Sequence, residues 1–232
     1  MKNLLVFLFT LISVTVFSQN TIDTTILSKK LCTDTVTILR IVDTVRIKHT
    51  NYTTVFSKSK HYPIVVEWWL TKKMLDCTPA KRHNDFAKDV LLPKETDLSK
   101  DYYKSGLDRG HMCPDLDNLC QGDTVQSECF YYSNMSPQYH SLNAGDWKSL
   151  ELYCNTLAVT NDSIHIWAGS IGEAKKIQSV SVPTQCWKVF YIKKLNEWHE
   201  FIFDNTNNKP TGFKVHEVPV GTIEKITSLQ FK

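Results

Sequence analysis

Arginine is scarce in this chain, and neither sign of charge dominates. Arg40, Arg46, Arg82 and Arg109 are the only arginines among 27 basic residues, which face 24 acidic ones for a net charge of +3. So mild a balance argues against a protein that holds polyanions by charge alone, because such affinity grows with the number of phosphates neutralised. Past residue 18 no stretch approaches the ~18 consecutive apolar residues of a membrane-spanning helix, so none is expected there. No Cys-x-x-Cys knuckle occurs, and Cys113, Cys120 and Cys129 lie seven and nine residues apart, a poor spacing for structural zinc. Recognition-helix and zinc-finger patterns are missing too, which leaves no device for reading base edges. Asp34-Thr35-Val36-Thr37-Ile38 is echoed by Asp43-Thr44-Val45-Arg46-Ile47, but two weak copies make no repeat family.

What is present begins with an address. Lys2 precedes an uncharged apolar run from Leu4 to Val16, and Val16-Phe17-Ser18 offers a cleavage site, so residues 1–18 read as a signal peptide cut before Gln19. Cys32 stands in too charged a setting for lipid attachment. The mature chain is therefore expected to be exported, to a periplasm or to the medium. All seven cysteines follow the leader, in keeping with an oxidising destination where disulfides persist. An odd count leaves at least one thiol unpaired or bonded to another chain. We expect at least one disulfide involving Cys113, Cys120 or Cys129, and a buried free thiol at Cys154, which keeps helical spacing with Trp147 and Leu150.

About 214 residues remain after cleavage, enough for one sizeable core and cramped for a second domain. Residues 19–51, rich in Thr, Val and Ile, read as short strands or an extended arm without assigned activity, and residues 52–232 as the functional domain. Tyr52 to Ser57 and Ile64 to Leu70 have the β-branched and aromatic content of strands. Leu107 to Met112 and Cys129 to Ser133 read as a second, paired set, and Ile164 to Ala168, Trp187 to Lys193 and Glu200 to Phe203 as later strands. Trp147, Leu150, Cys154, Leu157 and Ala158 recur at helical spacing, which predicts a helix after Gly145. The expected fold class is α+β, with a central antiparallel sheet and a strand-loop-strand-helix unit carrying the chemistry.

That chemistry is legible in Asp108-Arg109-Gly110-His111 followed by Asn143 and Glu151. A histidine can take a proton from water near neutral pH. Oxygen ligands can hold a hard divalent cation that neutralises charge on a phosphate and on its leaving oxygen. An arginine adds a fork matched to phosphate oxygens, and two of the four arginines, Arg82 and Arg109, fall in these segments. Together the residues are the parts needed to hydrolyse a phosphodiester. For Arg109 an ion pair with Asp108 stays open as another use, and for Asn143 the capping of the following helix. His49, His61, His199 and His216 lack comparable neighbours and read as surface histidines.

With DRGH at 108–111, Pro114, Tyr132-Ser133-Asn134-Met135-Ser136-Pro137-Gln138 and Asn143-Ala144-Gly145-Asp146-Trp147-Lys148-Ser149-Leu150-Glu151, the chain resembles the DNA/RNA non-specific endonuclease family of the ββα-metal (His-Me finger) superfamily, the endonuclease G-like nucleases. Arg82 to Phe86 with Asp89, Trp167-Ala168-Gly169, and Val182-Pro183-Thr184 through Lys188-Val189 extend the resemblance, which runs from about Tyr52 to about Asp204. It implies a ββα-metal unit, His111 as general base and Asn143 as the direct ligand of magnesium, with manganese as a substitute ion. Glu151 would act through metal-bound water. Arg82, Arg109 and Lys148 would meet phosphate, with Asp108 and Asn134 in support behind them. The resemblance alone implies a backbone carbonyl near Phe130 as the partner that fixes the His111 ring. The substrates would be DNA and RNA with little sequence preference. In one respect the chain departs from the pattern: the family usually has an arginine four residues after the glutamate, and here Asn155 stands, leaving Lys148 as a substitute cation. A catalytically weakened, nuclease-like binder of nucleic acid is therefore the alternative reading.

Overall fold

The computed structural model describes residues 36–38, 43–78 and 81–231; the expected leader and Cys32 lie outside them. The strands are β1 (Val36–Ile38), β2 (Thr44–Lys48), β3 (Tyr52–Ser57), β4 (Tyr62–Thr71), β5 (Asp108–His111), β6 (Met135–Gln138), β7 (Ser163–Ile171), β8 (Lys175–Ile177), β9 (Val180–Val182), β10 (Gln185–Ile192), β11 (Glu197–Asp204), β12 (Glu217–Val218) and β13 (Leu229–Phe231). Seven of them form one antiparallel sheet in the order β12-β11-β10-β7-β4-β3-β2. The fold is thus α+β with a large antiparallel sheet. Tyr52, where the sequence reading opens the functional domain, begins β3, and β2 just before it is already paired into the sheet.

Alternation along the strands builds two apolar faces, as a period of two requires. One carries Val66, Trp68 and Leu70 of β4, Ile164, Ile166 and Ala168 of β7, Cys186, Phe190 and Ile192 of β10, and Phe201 and Phe203 of β11. Leu150, Cys154 and Ala158 of a long helix, Lys148–Asn161, cover this face, and Trp147 joins them at its start. The opposite face presents Val55, Val65, Trp167, Trp187 and Val189, covered by Ile223 and by β13. The expected helix after Gly145 is therefore present with its predicted stripe inward, and Cys154 is a buried free thiol.

The second strand pair departs from expectation. β5 runs antiparallel to β6, with His111 opposite Met135, whereas Cys129 to Ser133 is not a strand. Cys129 caps the short helix Asp123–Glu128, and Tyr132–Asn134 makes one tight turn. Short polar side chains bind backbone here instead of leaving it to a ladder. The Asn134 amide donates to the carbonyls of Cys113 and Cys129, each at 2.8 Å, and accepts from the Cys113 N–H at 2.9 Å. Pro137, which lacks an N–H, is tolerated in β6 because this sheet has two strands only and leaves a side open.

Between β6 and the long helix, Leu142–Trp147 forms a wide turn broken at Gly145, whose ψ of −111° departs from any helix. A Cβ there would stand 2.4 Å from Cγ of Pro210, so this turn closes only on glycine. His49 corrects the surface reading: it is buried, and its Nε2 lies 2.9 Å from Oδ2 of the fully buried Asp89, which requires such a partner. Among the described residues no helix is long and apolar enough to cross a membrane. Cys77 and Cys120 form a disulfide, while Cys113, Cys129, Cys154 and Cys186 are free and buried.

Candidate active site

A cleft of about 470 Å³ opens where β5, the broken turn and the start of the long helix meet. Arg82, Asp108, Arg109, His111, Asn143, Lys148 and Glu151 all line it, as do Phe86 and Asp115. All six residues singled out from the sequence for catalysis, metal or substrate thus line one cleft, together with Asp108 of the two expected behind them. Asn134 alone stands behind, at 0% exposure, tying the segment after His111 to the segment before β6.

His111 is held from several sides. Its carbonyl accepts the Trp147 indole N–H at 3.1 Å, which fastens β5 to the head of the long helix. The Met112 N–H donates to the Asn134 carbonyl at 3.0 Å. Phe130 meets the imidazole edge-on at 4.9 Å between centroids, and Phe86 flanks it at 5.7 Å. The expected hydrogen bond near Phe130 takes another form: that carbonyl accepts from the Ala87 N–H, and Phe130 touches His111 through its ring. Among the described residues the buried Nε2 of His111 has no hydrogen-bond partner. Burial first, and the nearby Arg82 charge second, push the imidazole down to about 3, so the ring is neutral at physiological pH and has a lone pair to offer.

Arg109 is not paired with Asp108. Its Nε donates to the Tyr132 hydroxyl at 3.1 Å, and its guanidinium carbon lies 4.9 Å from the Phe86 ring, 5.7 Å from Tyr102 and 5.9 Å from Tyr132. Such a box binds the cation through ring faces and leaves it without an acidic partner among the described residues, available to an incoming anion. Arg82, more exposed, stacks on Phe130 and pairs with Asp115 at 3.5 Å. Among the described residues one buried oxygen of Asp115 has no hydrogen-bond partner, and burial raises its carboxyl against the opposing pull of Arg82.

Asn143 caps no helix. Its amide nitrogen donates to Oδ2 of Asp108 at 2.9 Å, and the same oxygen receives His140 Nδ1 at 2.8 Å. That bond commits the amide nitrogen and leaves the amide oxygen as the atom that could meet a cation. Because of the break at Gly145, Asn143 and Glu151 sit on different segments that converge on the cleft. Glu151 is 9% exposed. Burial drives its carboxyl up to about 7, with Lys188 pulling it down and Asp117 pushing it further up.

No cluster of three His, Cys, Asp or Glu side chains fit to hold a metal exists among the described residues. One amide oxygen and one carboxylate suit only an ion that keeps most of its own water, which is how magnesium behaves and zinc does not. Asn155 lies off the cleft wall, and its amide donates to the buried Asp117 at 2.8 Å. The sequence assigns no role of their own to Asp115, Asp117, Tyr132 and Lys188. Only Lys188 carried a signal, as a lone charge in the otherwise apolar run Cys186-Trp187-Lys188-Val189-Phe190.

A family model described as DNA/RNA non-specific endonuclease matches residues 36–232. A nuclease of Serratia marcescens is 30% identical over 178 residues, covering 69% of this chain and 66% of its own length. The mitochondrial nuclease EXOG of Xenopus laevis is 26% identical over 206 residues, covering 79% of this chain and 57% of its own length. The chain spans between 44% and 57% of the EXOG relatives it matches. In fold, a chain from a solved EndoG/EndoGI complex superposes with a TM-score of 0.68 over 80% of this chain and 84% of that one, at 24% identity.

Proposed function

The chain belongs to the DNA/RNA non-specific endonuclease family, and from that membership and the cleft we propose a magnesium-dependent endonuclease that hydrolyses phosphodiester bonds of DNA and RNA, leaving 5′-phosphate ends. The observation that carries the reading is a buried, neutral His111 lining the same cleft as two arginines, Asn143 and Glu151. His111 takes the proton of the attacking water, because an unprotonated imidazole beside bound phosphate is competent as a base. Arg109, kept free of acids by its aromatic box, and Arg82, once it leaves Asp115, engage the phosphate and the charge that builds on it. Asn143 would hold the ion directly and Glu151 through water, and magnesium, or manganese in its place, would supply neutralising charge at the phosphate and the departing oxygen. Lys148 on the rim adds a cation for the neighbouring backbone.

The lack of a recognition-helix or zinc-finger pattern in the sequence supports little sequence preference, and export to an oxidising compartment accords with the Cys77–Cys120 disulfide. The purified chain, incubated with plasmid DNA and with RNA in magnesium or in chelator, tests the proposal. Metal-dependent degradation of both substrates is expected. Retention of both without cutting would overturn it in favour of a weakened, binding-only protein.

A further inference from the structure

A charge lies under the cleft floor that no motif residue explains. Lys188 sits in β10 between Cys186 and Phe190, opposite Ala168 of β7 and Phe201 of β11, on the sheet face covered by the long helix. It is 1% exposed. Its Nζ stands 4.4 Å from the Trp147 ring centroid, 5.8 Å from that of Trp68, and 3.7 Å from Oε1 of Glu151. The other acid at hand, Asp117, is already met by two neutral donors, the Trp68 indole and the Asn155 amide, each at 2.8 Å. Among the described residues Lys188 is the only ion-pair partner of Glu151.

Stability does not account for this arrangement. Dehydrating an ammonium and a carboxylate costs more than their attraction commonly returns, and well-packed apolar residues of like volume often do as well or better. Methionine would continue the apolar face formed by Cys186 and Phe190. A buried cation placed behind a cleft-lining carboxylate instead fixes that carboxylate from the rear, in the way outer partners orient the groups that meet a metal. The two indoles confine the ammonium, and through it the direction in which Glu151 can swing.

We propose that Lys188 is the positioning residue of the site: from β10 it holds Glu151 aimed into the cleft, without itself meeting substrate. The role given to Glu151 rests on the nuclease reading above, while the pairing does not. It follows that the cation behind the glutamate comes from the sheet and not from the helix, where Asn155 is engaged with Asp117 and Lys148 faces the cleft.

The test is a cycle of Lys188→Met, Glu151→Gln and the double variant, read by manganese affinity from the spectroscopic signal of the free ion, by thermal unfolding, and by kcat and KM on plasmid DNA. Lys188→Met in the native background is expected to weaken manganese binding and lower kcat by about 10- to 100-fold with KM nearly unchanged. In the Glu151→Gln background the same change should cost less than about twofold in either, because the partner it acts through is gone. Equal losses in both backgrounds, or a Lys188→Met variant with native manganese affinity, would overturn the proposal. Should Lys188→Met fail to fold, recovery of folding in the double variant supports the pairing, and failure there too refutes it. Manganese affinity and unfolding need no substrate, so a native chain that never cuts DNA overturns the nuclease reading while the cycle still decides the role of Lys188.

Discussion

If Glu151 must be ionised to hold the ion's water, the activity of this chain will carry an acid limb that belongs to a carboxylate and not to the histidine. Burial lifts the Glu151 carboxyl from 4.5 to about 7, whereas burial and Arg82 press His111 from 6.5 down to about 3. Between pH 5 and 8 the imidazole is neutral throughout, and the glutamate is what changes charge. With a midpoint near 7, about nine tenths of it is ionised at pH 8 and about one tenth at pH 6, so kcat/KM at limiting magnesium should fall roughly tenfold between plateau and pH 6. Protons and the ion compete for the same site, so raising magnesium should move the limb to lower pH. Asp117, itself pushed up to about 6 by burial, raises Glu151, so Asp117→Asn should also lower the midpoint. The assay is initial rates on plasmid DNA from pH 5 to 9 at two magnesium concentrations, for the native chain and Glu151→Gln. Glu151→Gln should be slower and nearly flat; a limb near 6.5 that survives in it would assign the titration to His111 and refute the burial argument. Stability runs the opposite way, falling as pH rises. A carboxyl raised in the fold stabilises fully below about 4.5 and loses that contribution as pH rises through about 7, on the order of 3 kcal/mol, so unfolding should occur at lower temperature at pH 8 than at pH 5 in the native chain more than in Glu151→Gln.

His111→Ala should reduce cutting by about 100- to 10,000-fold while DNA binding, read by fluorescence anisotropy, persists; a variant keeping a tenth of the native rate would rule out a general base at this position. Asn143→Ala should raise the magnesium needed for half-maximal rate more than Glu151→Gln does, and the reverse order in a magnesium titration would make Glu151 the inner ligand. Tyr132→Phe removes the hydroxyl that accepts from Arg109 Nε and leaves the ring, so a loss of about 1 kcal/mol in transition-state binding, some fivefold in kcat/KM, is expected, and no change would show that the aromatic box alone orients the arginine. Cys120→Ser opens the cross-link between residues 43 apart in sequence and should destabilise by about 4 kcal/mol in chemical denaturation at neutral pH, with an unchanged midpoint as the contrary result.

The sequence by itself determined the family, the residues that line the cleft and most of the scaffold. β-Branched and aromatic content marked most of the large sheet's strands, and a period of 3.6 marked the helix from Lys148, because a buried helical face imposes that period on the residues that supply it. Residue types marked His111, Asn143, Glu151, Arg82 and Arg109, since few side chains can serve as base, hard-ion ligand or phosphate fork. What the sequence could not decide was partnership. That Asp108 turns the Asn143 amide, that Tyr132 takes Arg109 away from Asp108, and that Lys188 lies behind Glu151 are contacts across 23 to 37 residues of chain, set by how the β5 hairpin and the long helix pack on the sheet. Nor could it foresee β6 in place of Cys129 to Ser133, because strand propensity there yields to the buried Asn134 amide, which binds two carbonyls and must be satisfied. The shifts of His111 and Glu151 away from their ordinary values have the same origin: desolvation is a property of the assembled fold, and no single residue type announces it.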